Sequence, residues 1–239
     1  MYARILVPLD GSRLAEQVLP YVRAIGKMAR APITLLRVFN PAPLGMVDAE
    51  HGLYVDNISA TVRDDTEAYL RGIRASLSGL GVYVAVESCD GDPAGRIITE
   101  AAKVPDTLIA MATHGRSGIS RWLLGSVTDK VLHFTTSPLM IVRASGDSAV
   151  SPAGGDAGTV TGEVMLKNII VPVDGSPLAE QVLPHVIHLA RGMGLEVTLV
   201  RVIPHFDGFG GTLGYPSTEE PAPFHMGVRS EMYDAMIKE

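Results

Sequence analysis

The sequence predicts a doubly wound α/β domain over residues 1–143, a five-stranded parallel sheet in a three-layer α/β/α sandwich, followed by a partial second copy of the same unit. Three observations carry that expectation. Strand-length apolar runs alternate with helical patterns, the order that builds parallel sheets. Runs such as Leu108-Ile109-Ala110-Met111 are continuously apolar, as befits strands covered on both faces. Finally, Ile5-Leu6-Val7-Pro8-Leu9-Asp10-Gly11-Ser12 recurs 164 positions later as Ile169-Ile170-Val171-Pro172-Val173-Asp174-Gly175-Ser176.

In chain order, the first strand is expected over Arg4 to Leu9, and a helical pattern follows from Leu14 to Arg30. Asp10 or Ser12 is placed to cap that helix, and Pro20 falls inside it, where it is expected to kink. Ile33 to Phe39 has the apolar and β-branched content of a second strand. A second helix is expected from about Ile58 to Leu80, closed by Gly81, and a third strand over Val82 to Glu87. Asp92-Pro93 opens a helix through Gly95 to Lys103, since proline is favoured in a first turn. Strands at Thr107 to Met111 and Leu139 to Val142 flank a helix over Ser126 to Phe134.

The repeat extends beyond the opening octapeptide. Leu14 to Pro20 matches Leu178 to Pro184 identically, and the same offset later pairs Thr34, Leu35, Arg37 and Val38 with Thr198, Leu199, Arg201 and Val202. Such gap-free agreement marks a duplication. Ser145 to Gly162 is small and polar without apolar period and reads as a flexible linker, so residues 144–164 are expected to join a complete first copy to a truncated one over 165–239. The truncated copy repeats strand, helix and strand, and it lacks half a domain.

Composition excludes several classes. Charged residues make up 19% of the chain and the net charge is −6, with no Lys/Arg cluster to follow a phosphate backbone, so nucleic acid is not expected as a partner. The apolar runs are too short to span a bilayer, and the opening Met1-Tyr2-Ala3-Arg4 leads into a strand without a signal-peptide core. The one cysteine, Cys89, has no partner for an internal disulfide and reads as a small buried hydrophobe. A cytoplasmic location is therefore expected.

Open parallel sheets bind ligands beyond the carboxyl ends of their strands, where strand order reverses. After the fourth strand, residues from Met111 onward form a small-residue loop, Thr113-His114-Gly115-Arg116-Ser117-Gly118, which enters a helix at Gly125-Ser126. Glycines let backbone approach an anion, and free N–H groups at a helix start favour negative charge, so the loop is suited to phosphate. Ser126 and Thr128 add hydroxyls. Asp10, after the first strand, is placed to meet a ribose hydroxyl or a phosphate-bound magnesium ion, with Val38 beside it. Helix capping by Asp10 and turn formation by the glycines are the structural alternatives. His114 has no second metal-type ligand near it in sequence.

These residues carry a resemblance to the universal stress protein family. It rests on Val7-Pro8-Leu9-Asp10-Gly11-Ser12, on Thr113 to Gly118, and on Leu124-Gly125-Ser126-Val127-Thr128 with Ser137-Pro138-Leu139-Met140-Ile141-Val142. The resemblance implies strand order 3-2-1-4-5 and, in the ATP-binding branch, a G-x2-G-x9-G-S/T loop. Here those positions are Ala112, Gly115, Gly125 and Ser126, with the nine-residue spacing intact and alanine in place of the first glycine. That branch would use Pro8, Asp10 and Val38 around adenosine. Around the phosphates it would use Met111, Ala112, His114, Gly115, Gly125, Ser126, Val127 and Thr128, with Asp10 as a route to magnesium. Pairing of two copies along the fifth strand, Leu139 to Val142, is also implied.

Three functions are consistent with these residues. The first is a stress-response protein that binds ATP with magnesium as a conformational or assembly switch, with slow or no hydrolysis, because no general base or nucleophile is assignable. The second is a dimeric interaction module that has lost nucleotide, which Ala112 favours. The third is a slow ATPase or phosphotransferase using Asp10, His114 and Ser126.

Overall fold

The structure is a computed structural model and describes residues 2–39, 52–115, 125–145 and 164–202, with the side chains of 52–62, 114, 115 and 145 outside that description. The chain divides into two units, residues 1–166 and 167–239. In the first, β1 (Arg4–Pro8), β2 (Ile33–Phe39), β3 (Val84–Asp90), β4 (Thr107–Gly115) and β5 (Leu139–Ser145) form one sheet. All neighbours are parallel, as the alternation of strands and helices predicts, and the order is β3-β2-β1-β4-β5, as the family resemblance implies. The helices are α1 (Leu19–Ala29), α2 (Gly52–Ser76), α3 (Pro93–Ala102) and α4 (Ser126–Phe134).

Side-chain alternation along the strands separates two cores. Leu6, Leu36, Ile109 and Met111 pack with Ala94, Ile97 and Ala101 of α3 and Val131 of α4. Ile5 and Ile33 face the other way, onto α1, which comes so close at Gly26 that a Cβ there would stand 3.1 Å from Ile33 Cδ1 and 3.7 Å from Ile5 Cδ1. Helices on both faces explain why β1 is buried through Arg4 to Val7 instead of alternating with polar residues.

Several local expectations need correction. The first helical region is split: a 3-10 turn over Ala15–Val18 precedes α1, and Pro20 sits in the first turn of α1. There its missing N–H has no intrahelical acceptor to lose, so it starts a helix and does not kink one. Ser12 supplies the local cap, its Oγ accepting the Ala15 N–H at 3.1 Å, whereas Asp10 Oδ1 accepts the Ser12 N–H at 2.8 Å and closes a turn of its own. Strand β4 runs on to Gly115, because Ala112 to Gly115 pair with Val142 to Ser145 of β5. Met111, Ala112, Thr113, His114 and Gly115 therefore lie on a strand and not in a loop.

The second unit holds β6 (Asn168–Pro172), α5 (Pro177–Glu180), α6 (Leu183–Met193) and β7 (Glu196–Val200). β6 and β7 pair in parallel in the register of β1 and β2, Ile169 opposite Val197 as Ile5 stands opposite Ile33. The Asp–Ser turn is repeated as well: Asp174 Oδ1 accepts the Ser176 N–H at 2.8 Å, and Ser176 Oγ accepts the Ala179 N–H at 3.1 Å. Of the expected linker, residues 146–163 lie outside the described residues, as do residues 203–239 of the second copy.

Candidate functional site

Strand order reverses between β1 and β4, the place beyond the carboxyl strand ends where open parallel sheets bind ligands in a crevice. Sequence-predicted residues gather there by topology. Pro8 closes β1 opposite Leu36, Asp10 is exposed two residues beyond it, and Val38 lies near the end of β2, packed against the α3 and α4 core. From β4 come buried Met111, then Ala112 and Thr113, with the backbone of His114 and Gly115 opposite Ala144 and Ser145. Arg116 to Leu124 lie outside the described residues.

α4 re-enters the description at its start. Gly125 is the N-cap, at φ −54° and ψ 146°, and no side chain caps the helix. The first backbone bond that returns to the cap is donated by the Asp129 N–H to the Gly125 carbonyl, so the amides of Ser126, Val127 and Thr128 precede the first intrahelical donor. Among the described residues, a Cβ built on Gly125 would meet nothing within 4 Å. Its glycine is thus not demanded by φ or by packing within the described chain, which leaves room for something else to approach this backbone. Ser126 is exposed, Thr128 is buried, and Val127 packs against the core.

Two further observations bear on what the crevice accepts. Thr113 Oγ1 is buried and has no hydrogen-bond partner among the described residues, an arrangement that costs about 1–3 kcal/mol unless a ligand or water supplies the partner. Ala112 is not among the positive-φ residues, which outside glycine are, among the described residues, Arg30 and Asp106. Its backbone is ordinary ladder-paired strand, so the methyl that replaces a family glycine introduces no backbone strain. Among the described residues no group of three or more His, Cys, Asp or Glu side chains is arranged to hold a metal.

Sequence reasoning missed the support behind Asp10. Gly11 has φ +87°, and the place a Cβ would take lies 3.0–3.2 Å from the Arg37 guanidinium, which stands 5.1 Å from the Tyr69 ring centroid. Tyr69 donates its hydroxyl to Glu16 Oε1 at 3.0 Å, and burial together with that carboxylate pushes the phenol well above its ordinary range. The signal was present in the recurrence of Arg37 as Arg201. Cys89 is half-buried against the α3 and α4 core, and burial pushes its thiol up, which suits a packing role.

The model of the universal stress protein family matches residues 1–143 and 165–234. The chain belongs to the universal stress protein family. Among similar universal stress proteins, MJ0531 of Methanocaldococcus jannaschii is 28% identical over 143 residues, 60% of this chain and 83% of that protein. YxiE of Bacillus subtilis is 29% identical over 150 residues, 60% of this chain and all of the relative. Of solved structures, MJ0577 of M. jannaschii superposes with TM-score 0.52 at 25% identity, covering 61% of this chain and 98% of the other. A universal stress protein from Archaeoglobus fulgidus reaches TM-score 0.63 at 24% identity over 87% of this chain and 70% of its own length, which supports the fold across more than the first unit. Two matched segments make this universal stress protein a tandem one.

Proposed function

We propose that the first unit binds ATP with magnesium at the β1–β4 crevice and acts in the stress response as a conformational or assembly switch. The observation that carries this reading is the start of α4 at the carboxyl end of the sheet: a glycine N-cap with, among the described residues, open space at its Cβ and no capping side chain. A helix start of this kind lowers the energy of a phosphate brought against it. The exposed Asp10 carboxylate and the Thr113 hydroxyl, buried without a hydrogen-bond partner among the described residues, add an acceptor and a donor around the same crevice. Adenosine would lie along Pro8, Asp10 and Val38, and the phosphates along Met111 to Gly115 and Gly125 to Thr128. ATP in particular rests on the likeness to the ATP-binding branch.

Hydrolysis is expected to be slow or absent, because the residues in the crevice supply a cradle without an assigned attacking group. We further propose that two copies pair along β5, an edge strand of the sheet, and that the protein acts in the cytoplasm; no helix among the described residues is long and apolar enough to cross a membrane.

Calorimetric titration with ATP and magnesium tests the site. Saturable, stoichiometric binding by the parent that is lost in Asp10→Ala/Gly125→Val is the expected result. A parent chain that does not bind sinks the reading and favours the interaction module.

A further inference from the structure

We propose that Arg37 is a positioning residue for the nucleotide site: its guanidinium, held between the Gly11 turn and the Tyr69 ring, fixes the loop that presents Asp10. The inference rests on the nucleotide reading of that loop. Gly11 lies between the two ends of the Asp10–Ser12 hydrogen bond, and its φ of +87° admits a side chain only under strain. The space such a side chain would fill is taken by Arg37 Nη2, Cζ and Nη1 at 3.0, 3.1 and 3.2 Å. The planar guanidinium therefore roofs the turn. Its position is set in turn by the Tyr69 ring, and Tyr69 is tied through its hydroxyl to Glu16, on the 3-10 turn that follows the loop. Strand, helix and turn thus close around three loop residues, with a cation stacked on an aromatic face at the centre.

The second copy supplies an independent instance. Gly175 has φ +86°, and Arg201 Cζ, Nη1 and Nη2 each stand 3.3 Å from its Cβ position. The same 164-residue offset carries Glu16 to Glu180 and Tyr69 to Tyr233, the latter outside the described residues. Asp, Gly, Ser, Glu, Arg and Tyr have therefore been retained as a set through the duplication, although Gly26, where α1 touches the sheet, has become Ala190. A charge kept only for solubility would not be held to one strand position and one partner turn.

The full-length chain and its Arg37→Met, Arg37→Lys, Tyr69→Leu, Tyr69→Phe and Arg201→Met variants provide the test, read by amide hydrogen exchange at Ser12 and Ser176 and by ATP titration with magnesium. Arg37→Met and Tyr69→Leu are expected to speed Ser12 exchange and weaken ATP binding, each roughly two- to fivefold, the size of a surface cation–π contact. Arg37→Lys keeps the charge without the plane and is expected to behave like Arg37→Met. Tyr69→Phe keeps the ring and removes only the hydroxyl tie to Glu16, so it is expected to shift both quantities in the same direction but by less than Tyr69→Leu. Arg201→Met should speed exchange at Ser176 and leave Ser12 and ATP affinity as they were. Unchanged Ser12 exchange in Arg37→Met overturns the proposal, as does faster exchange with unaltered ATP affinity. A parent chain that binds no ATP overturns the nucleotide reading, and Ser12 exchange then decides alone whether Arg37 holds the loop.

Discussion

Ala112 shows how one backbone angle decides the meaning of a substitution. In a turn needing positive φ, a methyl there would oppose the family's loop; on β4, paired with Val142, it is an ordinary strand residue. Ala112→Gly is therefore expected to leave ATP affinity unimproved and to cost about 0.5–1 kcal/mol of stability, because glycine loses more conformational freedom on entering a strand. Urea unfolding beside the titration checks both halves. Gly125 is the converse case. A Cβ there meets no atom of the described residues within 4 Å, so Gly125→Val should cost about 1 kcal/mol through the lost N-cap preference while eliminating ATP binding. A large drop in melting temperature would show that Gly125 serves folding instead.

Among the elements, α3 is fastened to β1 by a buried ion pair. Arg4, 8% exposed, donates from Nη1 to Glu100 Oε1 at 3.2 Å and from Nη2 to the Glu100 carbonyl at 2.6 Å, and Lys103 also meets Glu100. Burial alone would raise the Glu100 carboxyl, but the hydrogen bonds from Lys103 and Arg4 outweigh it and hold the group below its ordinary range. Its folded value being depressed, this stabilisation is complete above the unfolded value of about 4.3 and is lost as pH falls through the folded value. Glu87 acts in the opposite sense: burial and the neighbouring Glu100 raise its carboxyl, so its ionisation costs stability above its folded value and acidification relieves that cost. Glu100→Gln should remove the acid-side loss due to Glu100 and, by stranding Arg4, cost about 3 kcal/mol at neutral pH, measurable as a shift in urea midpoint across pH. Elements of this kind were legible in outline only. The five strands and four helices described in the first unit follow from apolar period, and the α4 boundaries agree at both ends. The length of β4 did not, because Thr113, His114 and Gly115 look like a loop until β5, far along the chain, supplies their ladder partners. Asp10 and Gly125 were readable as site candidates from local pattern, whereas Arg37 was hidden, since a lone charge in an apolar run reads as solvated until Gly11 and Tyr69 are seen against it.

For the whole molecule, pairing along β5 carries a direct expectation: sedimentation of the parent should give a dimer, and Ile141→Lys, which sets a charge at the middle of an edge strand, should give a monomer at the same concentration. A parent that sediments as a monomer removes that interface. The repetition of the Asp10 turn in the second unit reaches further, into the order in which the chain acquires its structure. There the turn, its serine cap and its arginine roof stand on a single strand–helix–strand segment, and the described second-unit sheet is β6 and β7 alone. The turn, its serine cap and its arginine thus fall within some three dozen neighbouring residues, with Tyr69 a later anchor in the first unit, whereas joining β1 to β4 must close a span of 103 residues from Arg4 to Thr107. Short closures precede long ones on entropic grounds. A nascent chain would accordingly set half of its crevice early and complete the other half only when β4 docks, so substitutions in the Asp10 turn should slow refolding while those in β4 should mainly hasten unfolding.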